Sequence, residues 1–178
     1  MKFELNQAIS VLERTPTVLK QLLDDLSQEW THKNEGKDTW SPYDVVGHLV
    51  HGEKTDWMPR LEIVLSDSEQ KTFEPYDRFA QFKMSKGKSL GDLLDEFETL
   101  RKQNLQKLKS KFLTSKDLIR EGIHPELGPV TMNHMLSAWV VHDLGHIAQV
   151  SRVMAKQYKE EIGPWTQYLT IVNHTPKE

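Results

Sequence analysis

Apolar residues recur at helical intervals over four stretches of the chain, a pattern that predicts amphipathic helices. The first stretch runs from Leu5 to Trp30. Pro16 would interrupt a continuous helix because proline lacks a backbone N–H, but Thr15 before it can cap a new helix. We therefore predict a short helix followed by a longer one.

The second and third stretches both begin with a serine cap. Ser41 is followed by proline at the first helical position, and the helix is predicted to kink at Pro59 and to end near Ser66. The third stretch begins after Ser89 and has the most regular apolar spacing in the chain, through residue 112. Both are predicted to be long helices.

The fourth stretch begins at the capping residue Thr131 and runs to about Gln157. It is apolar on nearly every side, which predicts a helix that is central or packed against a second subunit. Residues 67–88 contain four aromatic side chains and are predicted to be an ordered connection. A short helix is predicted at residues 114–117 and a loop at residues 122–129, and no segment has a clear strand pattern.

These elements define an all-α fold, a four-helix bundle with short additional helices. A chain of 178 residues can bury one sizeable core and is short for two domains, so a single domain spanning residues 1–178 is predicted. The 23 basic residues are balanced by 26 acidic ones, which argues against nucleic acid as a partner. Neither a signal peptide nor a run of about 20 apolar residues is evident, so we expect a cytoplasmic protein without a membrane partner.

Two histidines in the last predicted helix suggest a metal site. His142 and His146 are four residues apart, which places them on one helix face with about 6 Å of rise between them. The chain has no cysteine, so a metal would have to be held by nitrogen and oxygen. The same spacing arises by chance and in hydrogen-bonded core histidines, so the pair alone does not define a site.

A third ligand is needed, and the second predicted helix offers two candidates. His48 lies at the edge of the apolar stripe, one turn before Gly52, whose missing side chain leaves space. His51 is turned further toward the polar side, so His48 is preferred. The other histidines lie in predicted loops, in the tail or in the first turn of the last helix: His32, His124, His134 and His174.

Four segments of the chain resemble the DinB-like metal-binding proteins, and within them the YfiT branch, described as metal-dependent hydrolases. They are DTWSPYDVVGHLVHGEKTDW at residues 38–57, FEPYDRFAQF at 73–82, HPELGPVT at 124–131 and WVVHDLGHIAQVSRVMAKQY at 139–158. The resemblance implies a four-helix bundle in which one histidine of the second helix and two of the last bind a divalent metal. On this sequence the implied metal ligands are His48, His142 and His146.

A site of three neutral imidazoles would leave a coordination position open to water or substrate, as in catalytic metal sites. Zinc and nickel are the ions most expected. Zinc lowers the pKa of a bound water to about 7 and would ionise a bound thiol in the same way. The open position therefore allows either hydrolysis or attack by a thiol on a small-molecule substrate.

Hydrolysis normally requires a general base close to the water, and the sequence shows none with certainty. Asp143 is better suited to orienting a ligand, whereas Glu53 and Asp56 are expected on a solvated helix face. We therefore predict transfer of a low-molecular-weight thiol to an electrophile, with metal-dependent hydrolysis as the alternative. Similar members of the superfamily use bacillithiol or mycothiol, and without cysteine in the chain the thiol would be a diffusible cosubstrate.

Two further expectations concern the surroundings of the site. The aromatic residues expected to line the pocket are Trp40, Trp57, Trp139 and Phe79, with Trp57 preferred. The apolar last helix, together with the resemblance, predicts a homodimer. A third functional reading, a non-catalytic binding or stress-response module in which the metal only staples the bundle, is also open.

Overall fold

A computed structural model describes residues 1–174, and helices dominate it. The helices are α1 (Leu5–Leu12), α2 (Thr15–Leu23), α3 (Gln28–Thr31), α4 (Pro42–Thr55), α5 (Trp57–Leu65), α6 (Ala80–Ser85), α7 (Leu90–Ser110), α8 (Ser115–Leu118) and α9 (Met132–Lys156). Two short 3-10 helices follow at Gly163–Gln167 and Thr170–Asn173. One hairpin is formed by β1 (Glu121–His124) and β2 (Gly128–Thr131).

The predicted four-helix bundle is confirmed, with α4 packed against α7 and α9, α1 packed against α9, and α2 packed against both α7 and α9. The N-terminal stretch divides at Pro16 as predicted, because α1 ends at Leu12 and α2 begins at Thr15. The second helix is shorter than predicted. It ends at Leu23, and α3 forms a separate single turn that ends at Thr31.

The caps predicted at Ser41, Ser89 and Thr131 are present and fix where the bundle helices begin, whereas Thr15 is the first residue of α2 and does not cap it. The Ser41 side chain accepts a hydrogen bond from the Asp44 backbone N–H, and the Asp44 carboxylate accepts one from the Ser41 N–H at 2.9 Å. The same reciprocal arrangement starts α7 at Ser89 and α9 at Thr131. Because each cap satisfies backbone groups that a helix leaves free, the registers of α4 and α9 are set locally.

The helix predicted to kink at Pro59 is divided into two helices instead. Asp56, with φ −113° and ψ −73°, separates α4 from α5. Proline crowds the carbonyl four residues earlier in a helix and cannot donate to it, and four residues before Pro59 is Thr55, the last residue of α4. The break caused by Pro59 therefore lies one turn before the proline itself.

The prediction of a loop at residues 122–129 is wrong for both ends of this segment. These ends belong to β1 and β2, which pair antiparallel. Each strand has four residues, too few to show an alternating pattern in the sequence. Thr72 extends the pairing through a parallel bridge to Ile123, which ties the 67–88 connection to the hairpin. Gly122 is required there, because a Cβ would lie 2.4 Å from the Phe73 ring.

The connection at residues 67–88 is ordered, as predicted, through buried Phe73 and the short helix α6. Its other aromatic residues behave differently. Phe79 and Phe82 are 62% and 46% exposed, so they are not part of the core.

The core consists of two groups of buried residues with a polar layer between them. One group joins α1, α5, the end of α7 and the start of α9. The other joins α2, α4, the start of α7 and Val150 of α9. Between them lie buried Glu53, Arg101 and Asp143, one each from α4, α7 and α9. The candidate ligands lie next to this polar layer.

The last helix is not central, because one of its faces is open to solvent. Val141 and Leu144 are 67% and 50% exposed, whereas Trp139 and Val150 are buried. Within residues 1–174, none of the helices combines the length and apolar character needed to cross a membrane.

Candidate metal centre

Three histidine side chains from two helices converge beside the polar layer. His48 comes from α4, and His142 and His146 come from successive turns of α9. The His142 Nε2 atom lies 3.1 Å from both the His48 Nε2 and the His146 Nε2. Two ligand nitrogens on a tetrahedral zinc are roughly 3.3 Å apart, because each Zn–N bond is about 2.0–2.1 Å. The spacing therefore suits a single ion.

The Nδ1 atoms of His48 and His146 each contact a side-chain oxygen. His146 Nδ1 donates to Gln149 Oε1 at 2.8 Å, since a side-chain amide oxygen can only accept. His48 Nδ1 is 3.3 Å from the Tyr76 hydroxyl, which can accept from it. With the proton on Nδ1, each Nε2 has a free lone pair directed at the centre. This is the tautomer that metal binding through Nε2 requires.

His142 differs from the other two rings in its Nδ1 contact. The nearest carboxylate oxygen, Asp143 Oδ1, is 3.9 Å from His142 Nδ1, which is too long for a hydrogen bond. Among the described residues this buried nitrogen has no hydrogen-bond partner. Asp143 nonetheless places a carboxylate 3.9 Å from this nitrogen, as expected of a residue that orients a ligand.

The local electrostatics keep His48 and His146 neutral. Burial, together with the neighbouring imidazoles, lowers the pKa of His48 to about 2. Burial and His142 lower the pKa of His146 to about 4, although its bond to Gln149 acts in the opposite direction. Neutral imidazoles are the form that binds metals, so a cation would not have to displace protons from these two rings at neutral pH.

Two of the four predicted aromatic residues lie against the histidine rings. The Trp57 ring is 5.2 Å from the His142 ring and stacks on Trp139 at 5.5 Å. The Trp40 ring lies 4.8 Å from His48 and 6.5 Å from His146. Phe79 is further out and exposed. Trp57 and Trp40 thus flank the histidines, whereas buried Trp139 belongs to the core.

Tyr76 and Gln149 are functional residues that the sequence did not single out. Gln149 stands three residues after His146, a helical spacing that could have identified it. Tyr76 lies in the irregular connection, where no periodicity predicts its contact with His48. The space predicted beside Gly52 is filled by Tyr76 and by Trp57, whose Nε1 would be 3.4 Å from a Cβ at that position.

Glu53 is not solvated, contrary to the sequence prediction, because it pairs with an arginine on another helix. The Arg101 guanidinium donates to Glu53 Oε1 from Nε at 3.0 Å and from Nη2 at 2.8 Å. It also donates to both Asp143 oxygens and to the Leu12 carbonyl. The three side chains are at most 2% exposed. Every donor and acceptor in this ion cluster is therefore used within the protein.

Burial opposes the ionisation of Asp143, but its contacts with His142 and Arg101 outweigh that effect and lower its pKa. The carboxylate is consequently held as an anion behind His142. An anionic acceptor at this position favours a proton on Nδ1 and leaves Nε2 free, the effect expected of a carboxylate behind a metal-binding histidine.

The prediction of a solvated face is also wrong for Asp56, which is 9% exposed at the break between α4 and α5. Its Oδ1 lies 2.6 Å from Arg60 Nε, but no well-directed hydrogen bond reaches this oxygen from the described residues. Burial raises the pKa of Asp56, although Arg60 and His142 act in the opposite direction. A carboxylate of raised pKa next to Trp57 is a candidate acid–base group.

The remaining histidines do not join the centre. His51 is buried, against the prediction that it faces the polar side, and its Nε2 donates to the Asp77 carbonyl at 3.0 Å. His124 and His134 bind backbone N–H groups in local turns. Two surface clefts of about 270 and 300 Å³ lie elsewhere, one at Glu35 and Lys156 and the other at Glu13 and Lys109.

The chain belongs to the DinB superfamily, whose family model matches residues 11–150. This range contains all three histidines. Among solved structures, the chain is similar to YfiT from Bacillus subtilis, described as a probable metal-dependent hydrolase with an unusual four-helix bundle topology. The two share 22% sequence identity and a TM-score of 0.71, over 88% of this chain and 87% of the other. No curated protein matches the chain.

Proposed function

We propose that this protein is a divalent-metal-dependent enzyme whose ligands are His48, His142 and His146. The observation that carries the proposal is the orientation of the three rings. The Nδ1 atoms of His48 and His146 contact the Tyr76 hydroxyl and Gln149 Oε1, and one ring nitrogen of each of the three histidines lies within 4.8 Å of the other two. When the ring protons are on Nδ1, the Nε2 lone pairs are directed at one another and repel unless a cation lies between them, so the arrangement fits a metal ion.

Nitrogen donors suit zinc and nickel, and we propose one of these as the native ion. No carboxylate completes the set among the described residues, so at least one position stays available for an exogenous ligand. A bound divalent ion supplies Lewis acidity, which lowers the pKa of a water or thiol ligand toward 7. Trp40 and Trp57 limit the access of water from either side of the centre.

For the reaction, we propose transfer of a low-molecular-weight thiol to an electrophilic small molecule. The sulfur forms a bond to the electrophilic carbon, the leaving group departs with its electron pair, and the thiol proton passes to solvent. No general base is required beside the reacting atoms once the thiol has ionised. Consistently, no carboxylate oxygen of residues 1–174 lies within 4.0 Å of a converging Nε2 atom.

Hydrolysis is the second candidate, and Asp56 is the observation in its favour. A buried carboxylate of raised pKa near His142 could accept a proton from an attacking water. If hydrolysis is the reaction, Asp56→Asn would reduce kcat by about 100-fold or more without loss of metal. If thiol transfer is the reaction, the same variant would retain most of its activity.

The metal proposal is tested by elemental analysis of protein purified without a histidine tag. We expect about one equivalent of divalent metal per chain in the wild type and far less in His142→Ala. His134→Ala, which removes a histidine two turns earlier on the same helix, is the matched control and should retain the metal. Equal metal content in the wild type and His142→Ala would refute the proposal.

The reaction is tested with monochlorobimane as electrophile and a small thiol as donor. Conjugation should require the metal, should exceed the uncatalysed rate and should be lost in His142→Ala. Metal-dependent cleavage of simple esters or amides, without any effect of added thiol, would instead establish hydrolysis.

We further propose that residues 1–178 form one domain and that the protein is a cytoplasmic homodimer. The exposed apolar residues Val141 and Leu144 on α9 support an interface there. Sedimentation at micromolar concentration should give a dimer, and Leu144→Glu should shift it to a monomer. A monomeric wild type would refute the dimer.

A further inference from the structure

Arg78 is a charged residue next to the centre that the proposed reaction does not yet use. It is exposed and lies in the turn between Tyr76 and α6. Its guanidinium carbon is 5.2 Å from the centre of the Trp40 ring and 5.4 Å from that of the Phe79 ring. Trp40 is the same ring that lies 4.8 Å from His48. One indole therefore separates the cation from the candidate metal ligands.

The turn that carries Arg78 is anchored to the ligand helix. The Asp77 carbonyl accepts a hydrogen bond from His51, which lies one turn after His48 on α4. The Asp77 carboxylate accepts from the backbone N–H groups of Phe79 and Ala80 at 3.0 and 3.2 Å. These bonds hold the backbone on both sides of residue 78. The Asp77 carboxylate, which is next to Arg78 in the chain, is thus hydrogen-bonded within the turn.

The hydrogen-bonding edge of Arg78 is free. Within residues 1–174, this side chain forms neither an ion pair nor a hydrogen bond, whereas Arg101, Arg120 and Arg152 all pair with carboxylates. The guanidinium lies over the Trp40 and Phe79 rings, and these cation–π contacts use none of its N–H donors in a hydrogen bond. The fork of N–H donors matches the two oxygens of a carboxylate.

We propose that Arg78 binds the carboxylate of the small thiol that is the cosubstrate, while the sulfur occupies the open position at the three histidines. This inference rests on the proposed thiol transfer and adds the class of thiol, a carboxylate-bearing one. Arg78 is then a determinant of specificity. Trp40 forms the floor between the two ends of the ligand, and exposed Phe79 keeps the guanidinium in place.

The proposal is tested with the cobalt-loaded protein, because a thiolate bound to Co²⁺ gives a charge-transfer absorption band. The probes are 3-mercaptopropionate, which carries a carboxylate, and 3-mercapto-1-propanol, which is neutral and similar in length. Dissociation constants for both are measured for the wild type, Arg78→Gln, Arg78→Lys and Lys83→Gln. Lys83 is an exposed lysine on α6, and its replacement controls for a general change in surface charge.

We expect the wild type to bind 3-mercaptopropionate about tenfold more tightly than the neutral thiol, since a charge-assisted bidentate contact is stronger than a neutral one. Arg78→Gln should abolish the preference and leave the affinity for the neutral thiol unchanged. Arg78→Lys should retain part of the preference, and Lys83→Gln all of it.

Two outcomes would overturn the proposal, and they are distinguishable. If both thiols bind with equal affinity, or if Arg78→Gln keeps the preference, Arg78 is not the carboxylate site and thiol transfer still stands. If neither thiol gives a charge-transfer band, both this assignment and the proposed thiol transfer are wrong.

Discussion

Two polar clusters lie side by side in this bundle, and they differ in how completely their groups are paired. In the ion cluster, Arg101 binds Glu53 and Asp143, and its remaining donor reaches a backbone carbonyl. In the histidine cluster, the Nε2 atoms face one another and His142 Nδ1 has no partner among the described residues. The donors and acceptors of the ion cluster are all paired, whereas the histidine cluster has the geometry of a set of ligands for a cation.

The two clusters contribute differently to the protein. Because the ion cluster joins α4, α7 and α9, it fixes the position of the helices that carry all three histidines. The histidine cluster gains no comparable pairing from the protein alone. We therefore assign the ion cluster to structure and the histidine cluster to chemistry.

The largest effect is expected from Arg101→Met. This change leaves two carboxylates buried without a counter-charge, and breaking a buried pair in this way costs about 3–5 kcal/mol of the free energy of unfolding. Urea denaturation measures the loss. Lys109→Met, on the same helix, removes a pair with Glu13 that is about half exposed and should have little effect. Equal effects of the two changes would contradict a structural role for the ion cluster.

The next prediction distinguishes two roles of Asp143: orienting His142 and stabilising the fold. Asp143→Asn and Glu53→Gln each remove one negative charge from Arg101, but only Asp143 lies next to His142 Nδ1. We expect Asp143→Asn to weaken Zn²⁺ binding by about 10–100-fold, the range for residues that orient metal ligands. Glu53→Gln should change it much less. Competition with a chromogenic chelator gives the affinities, and similar losses in both variants would assign Asp143 to structure alone.

A pH effect is expected for the metal-free protein. The pKa values of His48 and His146 are lowered by burial to about 2 and about 4, below the ordinary value of 6.5. Below pH 6.5 the unfolded chain therefore binds more protons than the folded protein does. As a result, the free energy of unfolding decreases as the pH falls from about 6.5 toward 4. Urea midpoints measured from pH 7 to 5 should fall less steeply in His146→Gln. An identical slope in the variant would refute the assignment.

The smallest expected effect is an increase in stability. Gly145 lies inside α9 next to His146, and a Cβ there would have no other atom within 4 Å. The position is open and exposed. Gly145→Ala should stabilise the helix by about 1 kcal/mol and raise Tm by a few degrees. A decrease in Tm would mean that another surface packs closely against this position.

Local features of the chain predicted much of the fold. The caps at Ser41, Ser89 and Thr131 are present, as is the break at Pro16, because each depends on residues within one helical turn. The hairpin was missed because its strands have only four residues each.

The site was predictable where spacing on one helix determines it. His142 and His146 had to share a face of α9, and the structure places His48 beside them. Glu53 and Asp56 could not be assigned from local sequence, since whether a charge is buried depends on partners such as Arg101, 48 positions along the chain from Glu53. Tyr76 likewise reaches His48 only through the tertiary path of an irregular segment.

The central claim is that His48, His142 and His146 bind one divalent ion through their Nε2 atoms, and a crystal structure of the zinc-loaded protein tests it most directly. We predict a single ion bonded to the three Nε2 atoms at about 2.0–2.1 Å, with a further position held by solvent or a small ligand. His146 Nδ1 should remain bonded to Gln149. An ion held through Nδ1, or by Asp56 in place of one histidine, or three histidines without metal at saturating zinc, would contradict the account.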